Sequence, residues 1–320
     1  MKISKFISFF CLLQAVFVFS QIQITRSVTL MGSRFDITLV GKDTVSINKN
    51  IDLAVSEIDR IENQISEWRS ETPISQVNKF AGIQPVVVSK EIINLTKTAL
   101  YFSKITNGAF DISIVAMDKI WKFDGSMKIM PSAEAIKNSV RNVGYRNIII
   151  NEKNSTLYLK NKGMKIGFGS IGKAYAADKA KELMMKIGVK AGIINAAGDV
   201  TTWGKQPDGE PWYIGVQNPF QPDEVDDVIE MNNNAVVTSG SYEKYAEIDG
   251  KRYSHIINPK TGMPSTGLIS VTVMGPNATL ANGLSTSIMV MGNNKGLRLM
   301  KKFPSYKCIM IGETGKIIKN

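Results

Sequence analysis

The stretch that decides the fold is MGSRFDITLVGKDTVSINKNIDLAVSEIDRIENQISEW, residues 31 to 68. Residues 22–40 alternate apolar and polar side chains around its beginning, which is typical of paired β-strands. Residues 47–68 then place isoleucine, valine and tryptophan close to helical spacing, which predicts an amphipathic helix. The sequence therefore predicts paired strands first, followed directly by a long helix.

The rest of the chain mixes both patterns without a regular strand–helix–strand rhythm. We predict helices over residues 89–106, 113–121, 171–187 and 278–291. We predict strands over 147–151, 156–160, 164–168, 192–196 and 212–216, mostly strand over 227–275 with a hairpin turn at Asp249-Gly250, and strands at the end of the chain. This pattern favours an α+β fold of mostly antiparallel sheets with packed helices over a doubly wound parallel sheet.

The first 21 residues have the layout of a secretory signal peptide, because Lys2 and Lys5 precede an apolar stretch that runs to Phe19. That stretch is shorter than the roughly 20 residues a transmembrane helix needs. We expect a signal peptide at 1–21 and one domain at 22–320, exported to the periplasm and anchored to a membrane, if at all, through the N-terminal segment. Cleavage would leave Cys308 as the only cysteine, which excludes an internal disulfide and a cysteine metal cluster.

The net charge of +11 comes from scattered lysines and arginines. A nucleic-acid surface needs a concentrated basic patch, so we expect no nucleic-acid partner. An anionic ligand remains compatible with this charge. The sequence leaves the oligomeric state open.

The first chemical motif is GFGSIGKAYAAD, residues 167–178, in which glycines follow an apolar segment and open a helix. Such a turn lets backbone amides approach a phosphate, and Lys173 would add a positive charge. A tight turn with a solvated lysine is the alternative. The spacing also matches most of a phosphate-binding P-loop, but Ala174 replaces the serine or threonine that would hold magnesium.

The second motif is INAAGDVTTWG, residues 194–204. A predicted strand ends at Asn195, and Gly198 permits a close backbone approach. Asp199 either binds a ligand or caps the turn, and the turn cap is the commoner use of aspartate in such a position.

The third motif surrounds His255, the only histidine in 320 residues. Residues 236–262 bring Ser239, Tyr242 and Glu243 close to it in sequence. Histidine is the usual general base near neutral pH, and a position beside a turn suits one. The alternative is a structural histidine that only packs.

The fourth motif is ATLANGLSTSIMVMG, residues 278–292, an apolar predicted helix with polar residues near its start. Asn282 and Thr286 are four residues apart, so they share one face of the helix and could hold a metal or a polar ligand. Capping of the helix N-terminus is the alternative.

Taken together and in order, these stretches resemble the FAD:protein FMN transferase family, the ApbE-type flavin transferases. The resemblance spans nearly the whole mature chain. It rests on MGSRFDI, SEWRSETPISQVN, GAFDISI, GSIGKAYAAD, NAAGD, TSGSYEKY, YSHIINPKTG and ANGLSTSIMVMG.

The resemblance implies an exported enzyme with a T-fold-like core that binds FAD and Mg²⁺. It would transfer FMN to a threonine or serine hydroxyl of a partner, a flavin-acceptor subunit of a membrane redox complex, and release AMP. By position it implies catalytic roles for His255 and Ser239. The implied FAD-binding residues are Met31, Trp68, Ala109, Phe110, Asp111, Lys173, Ile257 and Glu243. The implied metal ligands are Ser170, Asn282, Ser285 and Thr286.

The chain departs from the family pattern at Gly167, Asn258 and Asn282, where aspartate is common. Position 282 matters most, since Mg²⁺ prefers anionic oxygen ligands and an amide oxygen is neutral. Two further hypotheses therefore accompany flavin transfer. One is an FAD-binding protein of the same fold with reduced or no transfer activity, and the other is a P-loop nucleotidase.

Overall fold

A computed structural model describes residues 21–221, 224–242 and 244–320. The predicted signal peptide therefore lies outside the described residues, apart from Gln21, and so does Glu243. The strands are β1 Ile22–Leu30, β2 Ser33–Gly41, β3 Val86–Val87, β4 Ile148–Asn151, β5 Thr156–Leu159, β6 Ala191–Ala196, β7 Asp199–Trp203, β8 Trp212–Gln217, β9 Val225–Met231, β10 Ala235–Gly240, β11 Tyr245–Ile248, β12 Lys251–Ser254, β13 Leu268–Gly275, β14 Lys307–Gly312 and β15 Ile317–Lys319. The helices are α1 Thr44–Ile65, α2 Pro73–Lys79, α3 Lys90–Ile105, α4 Ala133–Ser139, α5 Gly172–Lys186, α6 Ala278–Met291 and α7 Asn293–Met300.

The main sheet has eight strands in the order β1-β2-β6-β7-β10-β13-β14-β15, and every neighbouring pair is antiparallel. It confirms the α+β prediction and the pairing of residues 22–40. The β1–β2 hairpin turns on Met31 and Gly32, both with positive φ. A two-residue turn of this handedness matches the twist of the strands it joins.

Helices cover one face of this sheet and a hairpin covers the other. On β2, alternate residues Phe35, Ile37 and Leu39 belong to the large core shared with α1, α5 and α6. On the opposite face, Val40 and Val236 pack against Trp212 and Met231 of the β8–β9 hairpin, among others. Successive side chains of a strand point to opposite faces of the sheet, so the alternating apolar residues contribute to two separate cores.

The helix predicted over 47–68 spans Thr44–Ile65 instead. It begins earlier because the Asp43 side chain accepts a hydrogen bond from the Ser46 amide, an N-cap. It ends earlier because Ser66 is extended and its amide closes the last turn on the Glu62 carbonyl. Trp68 therefore lies beyond the helix and is 79% exposed.

The strand predicted over 164–168 is wrong, because the backbone there pairs with a side chain and a loop instead of a strand. The Asn78 amide group accepts from the Ile166 N–H at 2.7 Å and donates to the Ile166 carbonyl at 2.9 Å. The Gly167 N–H donates to the Ile112 carbonyl. An amide group provides both donor and acceptor, so it satisfies both backbone groups of a residue as a sheet neighbour would.

Other boundaries differ more modestly. The helix predicted over 113–121 is one short 3₁₀ segment, Ile112–Ala116, capped by the Asp111 side chain. Residues 73–79, 133–139 and 293–300 form helices that were not predicted from the sequence. The predicted hairpin turn at Asp249-Gly250 is confirmed between β11 and β12, and both residues have positive φ. Among the described residues, no helix combines the length and hydropathy needed to span a bilayer.

Candidate active site

A cavity of about 610 Å³ opens where the β6–β7 turn, β8, the end of β10, the start of α5 and the face of α6 meet. This volume lies within the range of about 300–1,000 Å³ that is usual for cofactor and small-molecule sites. Of the residues predicted for a site, the lining includes Ala109, Phe110, Asp111, Ser170, Lys173, Ser239, His255, Ile257, Asn282 and Thr286. Five separate stretches of sequence thus reach one cavity.

The glycine-rich turn forms the wall at the start of α5. Gly169, Ser170 and Lys173 line the cavity, and the helix begins with no side-chain cap. The first amides of a helix favour an anion, and the Lys173 ammonium adds positive charge to the same wall. This side of the cavity suits a phosphate group.

The hydroxyl groups of Ser239, Ser285 and Thr286 lie together between β10 and α6, and we call this cluster the Ser239–Thr286 shelf. The Ser239 Oγ lies 2.8 Å from the Ser285 Oγ and 3.3 Å from the Thr286 Oγ1. The Ser285 Oγ also donates to the Asn282 carbonyl. Ser285 is fully buried behind the lining, whereas Ser239 and Thr286 reach the cavity.

The cavity contains the buried carboxylate of Asp199, for which the sequence allowed either ligand binding or a turn cap. Asp199 opens β7 and lines the cavity, and only 5% of it is exposed. The Asn282 Nδ2 donates to its two oxygens at 3.2 and 3.4 Å. Burial raises the pKa of Asp199 to about 7, against the opposing effects of Lys173 and the Asn282 hydrogen bond. Asp199 therefore faces the site and does not merely cap a turn.

His255 lies at the exposed rim. Its Nδ1 is 3.1 Å from the Lys244 carbonyl, and the Phe123 ring meets the imidazole edge-on at 6.4 Å between centroids. A carbonyl oxygen only accepts, so Nδ1 carries the proton in the neutral ring and Nε2 is the basic nitrogen. The backbone N–H of His255 donates to the same carbonyl, which fixes the residue at two points.

The loop that carries Ala109, Phe110 and Asp111 is held by the aspartate. One oxygen of Asp111 accepts from the Ser113 N–H and Oγ, and the other accepts from the Tyr145 N–H at 2.9 Å. Burial raises the pKa of Asp111, and these hydrogen bonds oppose the shift. Its carboxyl group is therefore occupied with shaping the loop.

Asn258 occupies one of the three positions where the family commonly has aspartate, and its side chain makes a hydrogen bond that an aspartate would also make. Its Oδ1 accepts from the Lys260 N–H at 3.0 Å, within a turn that also bonds the Thr261 and Gly262 amides to the Asn258 carbonyl. Asparagine and aspartate side chains form this kind of turn equally well. The departure at 258 therefore leaves the turn beside His255 intact.

At Gly167, a second departure, a neighbouring carboxylate fills the space of the missing side chain. A Cβ atom on Gly167 would lie 2.8 Å from the Cδ and Oε1 of Glu67 and 2.9 Å from a methyl of Val115. Burial raises the pKa of Glu67, which is half-buried there. The Glu67 carboxyl group therefore lies where a side chain at position 167 would begin.

We expect Gly167→Ala to lower the free energy of unfolding by about 1–3 kcal/mol, because overpacking a filled space costs that much. In a Glu67→Ala background the cost should be smaller, with a coupling of at least ~0.5 kcal/mol. Urea denaturation of the four proteins of this cycle measures both values. An equal cost in the two backgrounds would show that Glu67 does not occupy the space.

Asp178 of α5 fixes the position of α6. Its carboxylate, 5% exposed, accepts from the Ala278 N–H, the Thr279 N–H and the Thr279 Oγ1 at 2.6–3.1 Å. Burial raises its pKa, and these three bonds and Lys181 oppose the shift. Because α6 carries Asn282 and Thr286, this contact orients the α6 wall of the cavity.

We expect Asp178→Ala to lower the free energy of unfolding by about 2–3 kcal/mol, since three buried donors lose their acceptor. Asn277→Ala is the matched control, because the Asn277 side chain accepts one bond, from the Leu280 N–H. That N-cap change should cost about 1 kcal/mol. A loss at Asp178 no larger than the loss at Asn277, in the same denaturation assay, would contradict the role given to Asp178.

Among the described residues, Met31, Trp68 and Ser285 of the predicted site are not in the cavity lining, and Ser285, a predicted metal ligand, is fully buried behind it. Met31 sits in the β1–β2 turn, where its N–H donates to the Glu62 carboxylate at 2.8 Å. The Trp68 ring is exposed, with the Lys119 ammonium over it at 5.3 Å. Glu243 falls outside the described residues, so its role stays a prediction. Conversely, Lys244 and the β8 residues from Ile214 to Gln217 line the cavity without any signal in the sequence.

The oxygen groups near α6 fit a hard cation. In the described ranges, no three acidic, histidine or cysteine side chains form a metal-binding group. The cavity does offer the Asp199 carboxylate, the Asn282 amide and the Thr286 hydroxyl within a chain of contacts of 3.2–3.5 Å. Mg²⁺ is usually held by one or two carboxylates together with substrate phosphates, so this donor set suits it.

A model of the ApbE family matches residues 31–310. Curated relatives include the FAD:protein FMN transferase of Klebsiella pneumoniae strain 342, 28% identical over 278 residues, which are 85% of this chain and 79% of that protein. The FAD:protein FMN transferase of Escherichia coli strain K12 is 27% identical, with the same shares covered.

Solved structures agree in fold over nearly the whole chain. The ApbE protein of Thermotoga maritima is 30% identical with a TM-score of 0.84, covering 93% of this chain and 97% of that one. The flavin transferase ApbE from Vibrio cholerae is 26% identical with a TM-score of 0.81, covering 94% and 97%.

Proposed function

This chain belongs to the ApbE family, and we propose that it transfers FMN from FAD to a hydroxyl group of another protein and releases AMP. The observation that carries the proposal is the meeting of His255, Lys173 and the Ser239–Thr286 shelf in one cavity of about 610 Å³. A base, a cation and hydroxyl groups at one cavity suit phosphoryl chemistry, which depends on positioning and neutralised oxygens.

In the proposed reaction, the hydroxyl oxygen of an acceptor threonine or serine attacks the FMN-side phosphorus of FAD. A new bond forms between that oxygen and phosphorus, and the bond from phosphorus to the bridging oxygen breaks. AMP leaves with the bridging oxygen. The hydroxyl proton passes to the Nε2 of His255, which Lys244 holds in the required tautomer through Nδ1.

The remaining residues bind and orient. The wall formed by Lys173 and the start of α5 faces the negative charge of the pyrophosphate. The Ser239 hydroxyl, held by Ser285, presents a polar edge beside Thr286. Mg²⁺ is part of the proposal; Asn282, Thr286 and Ser170 would hold it, and when bound it would neutralise phosphate oxygens.

The acceptor is proposed to be a flavin-carrying subunit of a membrane redox complex, as the family resemblance implies. Export to the periplasm is also proposed, on the basic and apolar character of residues 1–19. N-terminal sequencing of protein recovered from a periplasmic extract tests the export. A mature chain that begins near residue 21 is expected.

The experiment that tests transfer mixes purified protein, FAD, Mg²⁺ and a candidate acceptor domain, followed by denaturing electrophoresis. Flavin fluorescence that stays on the acceptor band is expected, since the product is covalent. Acceptor variants without the target threonine or serine should remain dark. Absence of fluorescence with every acceptor tried, from a protein that binds FAD, would refute transfer.

A second candidate is an FAD-binding protein without transfer activity. The neutral amide of Asn282 on the metal-facing wall favours it, because that position lacks the anionic oxygen Mg²⁺ prefers. Such a protein would be purified or reconstituted as a yellow complex, and no acceptor would become fluorescent. The P-loop hypothesis has no comparable support, since Ala174 is fully buried and lacks the hydroxyl such a site needs.

A further inference from the structure

Two carboxylates line the cavity within the part of the chain that the structure describes, and they are used differently. The oxygens of Asp111 accept three hydrogen bonds from Ser113 and Tyr145, so they hold a loop. The oxygens of Asp199 share one donor, the Asn282 Nδ2, at 3.2 and 3.4 Å. A carboxylate can accept about four bonds, so the Asp199 oxygens retain most of their capacity.

The ionised form of such a group is stabilised by a nearby cation. Asp199 is 5% exposed, and burying an ionised carboxylate is costly unless a positive charge or several donors compensate it. Lys173 contributes attraction and Asp178 contributes repulsion, while Asn282 contributes one long bond. The carboxylate also faces a cavity and not the packed core, so a ligand can reach it.

The neighbours of Asp199 are oxygen groups. The Asn282 Oδ1 lies 3.5 Å from the Thr286 Oγ1, and Thr286 adjoins the Ser239 hydroxyl. These neutral oxygens and one carboxylate are the ligand types that Mg²⁺ and Mn²⁺ accept. Asn282 is thus in direct contact with a residue that carries the charge its own side chain lacks.

We propose that Asp199 supplies the anionic oxygen of a divalent-cation site on α6, so that the charge absent at Asn282 is provided from β7. The inference rests on the proposed function, because the cation would neutralise the pyrophosphate of FAD bound in the same cavity. It predicts that one negative charge in the Asp199–Asn282 pair is needed, and that either position can carry it.

The test measures Mn²⁺ binding by electron paramagnetic resonance, which counts free Mn²⁺, on the full mature protein saturated with FAD. Four proteins are compared: the native chain, Asp199→Asn, Asn282→Asp and the double variant that exchanges the two residues. Asp52→Asn is the control, because this exposed carboxylate of α1 pairs with Arg26 and is not among the cavity-lining residues. FAD binding is first measured for each protein by flavin fluorescence.

We expect Asp199→Asn to weaken Mn²⁺ binding at least about tenfold. The exchange variant should regain most of that affinity, and Asp52→Asn should match the native chain. Unchanged binding in Asp199→Asn overturns the proposal, and so does an exchange variant no better than Asp199→Asn. So does a native chain that binds FAD but no Mn²⁺.

The two proposals fail in different ways. A native chain that does not bind FAD refutes the proposed function before any metal is added. Thermal unfolding of each variant shows that it is folded. If Asp199→Asn does not fold, the exchange variant and Asn282→Asp decide: both carry a carboxylate at 282 and should bind Mn²⁺, and failure of both overturns the inference.

Discussion

Replacing His255 with alanine should slow FMN transfer about 100- to 10,000-fold, the usual contribution of a general base. FAD affinity should change little, because the imidazole lies at the exposed rim and its Nδ1 contacts the Lys244 carbonyl. The reason is that the acceptor hydroxyl must lose its proton as the new bond to phosphorus forms. The rate of fluorescent labelling of the acceptor, measured at saturating FAD, gives the effect directly.

A matched control is Asn258→Asp, three residues further along the chain, in the turn beside His255. Its side-chain oxygen accepts from the Lys260 N–H, and an aspartate oxygen would do the same, so the rate should stay near that of the native chain. His255→Gln provides a second comparison, since it keeps hydrogen-bonding groups but not a base. Native-like rates in both His255 variants would mean that the proton leaves by another route.

The stability of the ligand-free protein should fall as pH rises from about 4 to 7, and Asp199 should cause a large part of the change. Its pKa is about 7 in the fold because of burial, against an ordinary value of 3.8. Well below pH 3.8 the group is protonated in both states, and no cost arises. Between these pKa values only the unfolded chain releases the proton, so the free energy of unfolding falls by about 1.4 kcal/mol per pH unit. The total loss that Asp199 causes is about 4 kcal/mol above pH 7.

Asp199→Asn should remove the part of the pH dependence of stability that Asp199 causes, because the amide does not titrate. The variant should therefore be more stable than the native chain, by an amount that grows between pH 5 and 7 and is constant above about pH 8. Urea denaturation at several pH values, with a chelator and without FAD, measures it. Asp36→Asn is the control; hydrogen bonds from Ser27 and Arg34 keep the pKa of Asp36 low despite partial burial, so its effect should not change in this range. A pH-independent gap at Asp199 would contradict the raised pKa.

Much of the fold could be predicted because its signals are local. The alternation around Phe35 and the helical spacing after Ile47 depend on residues within a few turns of each other. Predicted boundaries differ from the observed ones where a side chain replaces a regular partner. Asn78 is 88 residues from Ile166, and its amide satisfies the backbone that the apolar pattern at 164–168 assigned to a strand.

For the site as well, some features could be predicted from local sequence and others could not. Glycine spacing and the single histidine are enough to make residues 167–173 and His255 candidates, because turns and titratable groups have recognisable compositions. Which candidates share a cavity does not follow from spacing. The structure gathers Lys173, Ser239 and His255, and it leaves Met31 and Trp68 outside the lining.

By itself, the sequence determined the α+β class, the major strands and helices, and the family resemblance, since these rest on short-range periodicity and on motif order. Only the tertiary structure showed which side chains surround Gly167 and Asn282, two positions where the family commonly has aspartate. The Glu67 carboxylate fills the space at Gly167, and the Asp199 carboxylate contacts Asn282 from 83 residues away. The physical reason is that side chains interact through space, so the neighbours of a residue can lie far from it in the chain, as Asp199 does from Asn282.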